Sequence, residues 1–161
     1  MAKKSKQSKT LPIYILNGPN LNLLGHREPE VYGTTTLPQI EKMCADQAAT
    51  HGLAIVFRQS NREGEIVDHL QEARTSGSAV IINPAGYGHT SIAILDSIQA
   101  LNIPVIEVHL SNIHRREPYR HNSYVSKGAT GIVMGLGAQG YLRAVDAVAE
   151  ILAPTIKSRL K

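Results

Sequence analysis

Ile13-Tyr-Ile-Leu-Asn-Gly-Pro-Asn-Leu-Asn-Leu-Leu-Gly-His-Arg-Glu-Pro-Glu-Val-Tyr-Gly33 is the stretch whose reading decides the fold of this 161-residue chain. Ile13–Leu16 is a short apolar run that reads as a buried strand. The loop after it, residues 17–33, is not built like a plain connection. Asn17, Asn20, Arg27 and Tyr32 lie among Gly18, Pro19, Gly25, Pro29 and Gly33, residues that fix backbone shape. In an α/β protein, ligands bind in loops that leave the carboxyl ends of strands, and long loops with their own turn chemistry are binding loops or lids.

Outward from that stretch, strand and helix patterns alternate to the end of the chain. Thr36-Leu-Pro-Gln39 resembles a capping box with Pro near the helix start, where its missing N–H costs nothing. The helix is expected to run to about His51 and to stop at Gly52. Leu53–Arg58 reads as the second strand. The next helix spans about Glu65–Thr75, buries one face through Ile66, His69, Leu70 and Ala73, and ends at Gly77. Ala79–Ile82 is the third strand, Thr90–Ala100 a helix, and Pro104–Leu110 the fourth strand. A long polar loop, Ser111–Thr130, precedes the fifth strand, Gly131–Met134, and Ala138–Leu152 is the last helix. Five short apolar strands separated by helices imply a parallel sheet covered on both faces. Right-handed crossovers then lead to a flavodoxin-like doubly wound α/β sheet of order 2-1-3-4-5.

The length fits one domain, expected over residues 11–161. There is no Trp and one Phe, so the core must be mostly Ile, Leu, Val and Ala. Lys3, Lys4, Lys6 and Lys9 contribute much of the formal charge of +4. They fall in a segment, residues 1–10, without apolar period, which reads as a disordered basic tail. Nucleic-acid binding is the sharper reading of that tail and a solvated terminus the preferred one. Cys44 is the only cysteine, so no internal disulfide can form, and it reads as a buried thiol within a helix. With no membrane span and no apolar signal core, the expectation is a soluble cytoplasmic protein.

Three loops at carboxyl ends of strands carry the functional side chains: 17–33, 83–91 and 107–120. In the expected sheet, strands one, three and four are adjacent, so these loops should converge on one site. Glu107 and His109 alternate onto one face of the fourth strand, about 6–7 Å apart at Cα. A carboxylate beside an imidazole orients the ring and favours its protonated form, which is how a general acid is built. A surface ion pair is the plainer alternative. Tyr32 beside Arg27 can lose its proton more easily than a free phenol. His89 is expected to hydrogen-bond a ligand, because no His grouping has the spacing of a metal site. Gly135-Leu-Gly-Ala-Gln-Gly140 matches GxGxxG after a strand. No second strand and acidic residue come about twenty positions on, so close packing onto the last helix is preferred over a dinucleotide site.

With these residues in hand, the chain resembles the type II 3-dehydroquinate dehydratases. The resemblance covers about Leu11 to Leu152 and rests on NGPNLNLLGxREPxxYG, RQSNxEGEIVDxL, NPAGYxHTS, EVHLSN and GLGAQGYxxA, in that order. It implies dehydration of 3-dehydroquinate to 3-dehydroshikimate through an enolate, in the shikimate pathway or quinate catabolism, with no metal, cofactor or Schiff-base lysine. Carried over by motif, Tyr32 resembles the base acting at C2, and Arg27 the group that keeps it acidic. His109, held by Glu107, resembles the acid that protonates the C1 hydroxyl, and Asn20 the group that steadies the enolate oxygen through a water. Asn83 with the Leu110–Ser111 backbone resembles the substrate carboxylate site. His89 and Arg120 resemble groups that bind ring hydroxyls, and Arg116 matches a lid arginine. Asp96 matches a residue donated across a subunit contact in a homododecamer, a tetramer of trimers. Gly88 departs from the family pattern, which usually has Thr there; the change removes a hydroxyl and loosens the turn before His89. A flavodoxin-like nucleotide- or phosphate-binding module is the alternative reading.

Overall fold

The structure, a computed structural model, describes residues 10–159. The expected basic tail lies, apart from Thr10, outside the described residues. Five parallel strands form one sheet: β1 (Ile13–Asn17), β2 (Ile55–Gln59), β3 (Ala79–Asn83), β4 (Val105–His109) and β5 (Gly131–Met134). Their order is β2-β1-β3-β4-β5, the doubly wound arrangement expected from the alternating pattern. The strands of the sheet centre, β1, β3 and β4, are buried at every position. Their continuous apolar runs follow from having helices on both faces.

Side-chain alternation splits the core in two. Ile13 and Ile15 face one layer, with Ile40, Cys44 and Ala48 of α2 (Leu37–Thr50) and Val145 and Val148 of α5 (Gln139–Arg159). Tyr14 and Leu16 face the other, with Ile66, Leu70 and Ala73 of α3 (Glu63–Ser76) and Ile94 and Ile98 of α4 (Ile92–Gln99). Each buried Ile or Leu contributes about 1.5–3 kcal/mol of transfer free energy.

The helix ends follow local chemistry. Thr36 caps α2, accepting from the Gln39 amide, while the Gln39 side chain accepts from the Thr36 amide at 2.9 Å. Gly52 follows in the left-handed region at φ 69°, which an L side chain rarely adopts. Ser91 caps α4 through the Ile94 amide at 3.0 Å, so that helix begins at Ile92 rather than Thr90.

Two expected loops contain structure. α1 (Pro29–Tyr32) is a single turn within the first loop, and residues 111–130 hold three 3₁₀ turns. The last helix continues past Leu152 to Arg159.

At the carboxyl ends, Gln59, Asn17 and Asn83 lie side by side in register across β2, β1 and β3. From this row of amides the site loops leave the sheet. Gly18 is required there, because a Cβ would stand 2.3 Å from the Pro84 carbonyl oxygen of the neighbouring loop.

Candidate active site

A cavity of about 190 Å³ opens above β1, β3 and β4. Asn20, Arg27 and Tyr32 line it from the first loop, and Asn83 and His89 from the loop after β3. His109, Leu110, Ser111, Arg116 and Arg120 line it from the end of β4 and the segment beyond. The three loops expected to converge do so. Glu107 stands behind His109 rather than on the wall. Asp96 is exposed on α4 and is not among the cavity residues of this chain.

Glu107 and His109 share a face of β4, and His109 Nε2 lies 2.6 Å from Glu107 Oε1. Their side chains are 0 % and 6 % exposed, so this is no surface ion pair. Burial pushes the Glu107 carboxyl up. The hydrogen bond and charge of His109, with hydroxyls of Ser123 and Ser126, outweigh that and hold it below the usual carboxylate range. An ionised Glu107 can only accept, so Nε2 carries the hydrogen and Nδ1 is the nitrogen left to exchange a proton with a ligand.

Tyr32 ends α1. The single turn starts at Pro29 after Glu28 at φ 42°, and closes on Gly33 at φ 81°. The phenol oxygen accepts from Arg116 Nη1 at 2.7 Å. The Arg116 and Arg27 guanidiniums lie 5.3 and 5.7 Å from the ring centre. The direct donor to the phenol is therefore Arg116, 84 residues away in sequence, while Arg27 flanks the ring and pairs with Glu28 at 3.4 Å. Arg120 pairs with Glu117 at 3.0 Å. Burial works against its charge, and the fields of Tyr32 and Glu117 exceed that, leaving its pKa above the usual value. Three guanidiniums around one cavity favour an anionic ligand.

Asn83 is fixed from both ends. Its Oδ1 accepts from the Ala85 amide at 3.2 Å and its Nδ2 donates to Tyr141 Oη at 3.0 Å. Tyr141 in turn donates to Asn17 Oδ1 at 2.7 Å. Burial pushes the Tyr141 phenol well above its usual range, so it stays neutral and structural. The second Nδ2 hydrogen of Asn83 remains available to the cavity. Asn20 sits at φ 67°, with its amide donating to Asn61 Oδ1 at 3.0 Å.

The His89 ring stacks on His109 with centroids 6.3 Å apart, and its Nδ1 meets the Asn122 carbonyl at 2.8 Å. Gly88 is buried, and its carbonyl accepts from the Tyr124 amide at 2.7 Å. The turn before His89 is thus tied down by backbone despite the missing side chain. The GxGxxG segment serves the same end of the sheet. Gly135 and Gly137 take φ 84° and 58°, and their amides donate to the His109 and Leu110 carbonyls at 3.2 and 2.9 Å.

Sequence reasoning did not find Ser123, Ser126, Tyr141 or Asn61, nor the bond from Arg116 to Tyr32. Asn61 and Tyr141 stand within the quoted motifs, whereas Ser123 and Ser126 lie outside all of them and nothing in the local sequence marked them.

Comparison with known proteins identifies the family of the chain. The family described as Dehydroquinase class II matches residues 11–149. A 3-dehydroquinate dehydratase of Caulobacter sp. is 58 % identical over 141 residues, covering 88 % of this chain and 96 % of that protein. Its counterpart from Streptomyces coelicolor is 56 % identical over 141 residues, covering 87 % and 90 %. The crystal structure of a type II dehydroquinase from Propionibacterium acnes superposes with a TM-score of 0.85 at 41 % identity, covering 88 % of this chain and 97 % of that one. Sequence and overall fold thus agree over nearly the whole chain, which belongs to the class II dehydroquinase family.

Proposed function

We propose that this protein dehydrates 3-dehydroquinate to 3-dehydroshikimate as a hydro-lyase of the shikimate pathway. The observation that carries the reading is one cavity holding a phenol under a guanidinium opposite an imidazole backed by a buried carboxylate. A proton α to a ketone is weakly acidic, so the base must be poised and the enolate oxygen stabilised. Tyr32, as phenolate, takes the proton from C2. The Arg116 guanidinium that donates to the phenol oxygen at 2.7 Å supplies a charge-assisted hydrogen bond to the phenolate. The electron pair moves toward the carbonyl, where Asn20 steadies the enolate oxygen through a water. His109 then gives its Nδ1 proton to the C1 hydroxyl, the C–O bond breaks, water leaves, and the enolate collapses to the conjugated enone.

Asn83 and the Leu110–Ser111 backbone are proposed to hold the substrate carboxylate. His89 and Arg120 bind ring hydroxyls, and Arg27 and Arg116 close over the site and expel water. Asp96 completes the site of a neighbouring subunit in a homododecamer, a tetramer of trimers. Its exposure on α4 suits that role. The lone buried Cys44 suits a reducing compartment, and the cytoplasm is the proposed location. The same reaction would serve quinate breakdown.

The test is the enone absorbance that appears on adding 3-dehydroquinate to the purified protein without cofactor. No absorbance, together with nucleotide that copurifies, would favour the binding-module reading. Strong chelator, or borohydride with substrate, leaves turnover intact on this mechanism; loss with either would mean a metal or an imine. Light scattering should give about twelve times the 17.5 kDa chain mass, and a fully active monomer would remove the shared site.

A further inference from the structure

The acid half of the site does not end at Glu107. A fully buried carboxylate is stable in its ionised form only when donors surround it. His109 Nε2 and Ser123 Oγ share Oε1, at 2.6 and 2.5 Å, and Ser126 Oγ donates to Oε2. The two serines stand three residues apart, so one turn presents both hydroxyls to the carboxylate. That turn is anchored elsewhere. Val125 between them is fully buried against the α3–α4 layer, and the Tyr124 amide is tied to the loop of His89 through the Gly88 carbonyl. Gly88 leaves room for the arrangement: a Cβ there would lie 3.2 Å from Ser123 Oγ.

We infer that Ser123 and Ser126 are positioning residues for the proton donor, fixing the plane of the Glu107 carboxylate and drawing off part of its charge. The inference rests on the dehydratase reading. Hydrogen bonds to a carboxylate stabilise its charged form and make it a weaker base. A less basic partner leaves the His109 imidazolium more acidic, and so better able to give its proton to the departing hydroxyl. With a serine hydroxyl gone, the carboxylate holds the Nε2 proton more strongly and the imidazolium is retained to higher pH. The other titratable groups that line the cavity with His109 are the stacked His89, and Tyr32, Arg27, Arg116 and Arg120.

The experiment measures turnover of 3-dehydroquinate against pH for the full chain and for Ser123→Ala, Ser126→Ala and the double variant. Each single change should lower kcat about ten-fold, and the double about a hundred-fold, as expected for hydrogen bonds to a charged group. KM should change little, and the limb of the profile that reports the protonated acid should move to higher pH. Ser126→Thr keeps a hydroxyl and should recover most of what Ser126→Ala loses. If Ser123→Ala fails to fold, Ser126→Ala, at a half-buried position, decides alone. Variants with an unshifted profile, or a loss that Thr does not recover, overturn the inference while wild-type turnover stands. A wild-type protein with no turnover overturns the dehydratase reading, and this inference with it.

Discussion

The two halves of the cavity are built by different means. The acid half sits on an interior strand: Glu107 and His109 are 0 % and 6 % exposed, and backbone alternation alone puts them on one face. The phenol half sits on a single helical turn between residues in the left-handed region, Glu28 and Gly33. Its partners are long side chains from elsewhere, Arg116 at 15 % exposure and Arg27 at 42 %. Sheet hydrogen bonds hold the first pair rigidly. The second is held by long side chains, one of them half-exposed, rather than by the sheet. The non-glycine residues at positive φ among the described residues, Asn20, Glu28 and Ala85, all lie in the loops above the sheet. Backbone strain of this sort gathers at functional sites.

The largest expected effect breaks the phenol half. Tyr32→Phe keeps the ring and removes the ionisable oxygen, so turnover should fall by at least roughly 10²–10⁴-fold while substrate still binds. Turnover near wild type would remove Tyr32 as the base.

Glu107→Gln tests the rigid half in two ways. Turnover should fall by on the order of 10²-fold, since the imidazolium loses its counter-charge. Stability should also lose part of its pH dependence. The folded pKa of Glu107 lies below the unfolded value of ~4.3, so the unfolded chain binds the proton first. The stability it contributes is present above that pH and lost as pH falls through the folded value. Melting curves from neutral to acid pH should be flatter in the Gln variant, and parallel curves would contradict the assignment.

Arg116→Ala and Arg27→Ala sharpen the comparison, since both surround the same phenol. Each should slow turnover by about ten-fold or more and raise the limb of the profile that reports the base. Lys should rescue only in part, lacking the planar fork. Profiles unchanged in both variants would detach the guanidiniums from the phenol's acidity.

The smallest effect lies outside both halves. Asp146 on α5 accepts from Gln47 at 2.6 Å and meets His51 at 2.8 Å, tying the end of α2 to α5. Asp146→Asn should cost about 0.5 kcal/mol at this partly exposed site, seen as a melting point lower by about 2 °C, with turnover unchanged. A large loss of turnover would show that the site depends on the α2–α5 contact.

Much of this was legible in the linear chain. The Thr36–Gln39 capping box, the stop at Gly52 and the apolar runs of β1 and β3 appear where local chemistry puts them. The sharing of a face by Glu107 and His109 followed from strand alternation. The single turn Pro29–Tyr32 was not legible, because four residues carry no helical period. Nor were Ser123 and Ser126, whose turn looks like any polar loop until Glu107 is placed beneath it.

The division has one physical cause. Periodicity, capping and turn chemistry act between residues a few positions apart, so the sequence by itself determined the elements, their order and hence the doubly wound sheet. Register and loop closure act between residues far apart in the chain. Only the tertiary structure decided that Arg116 rather than Arg27 donates to Tyr32, that Tyr141 locks Asn17 to Asn83, and that the Glu107 carboxylate is saturated. Those choices depend on which side chains reach the same few ångströms of space once the sheet has formed, and no local spacing encodes that.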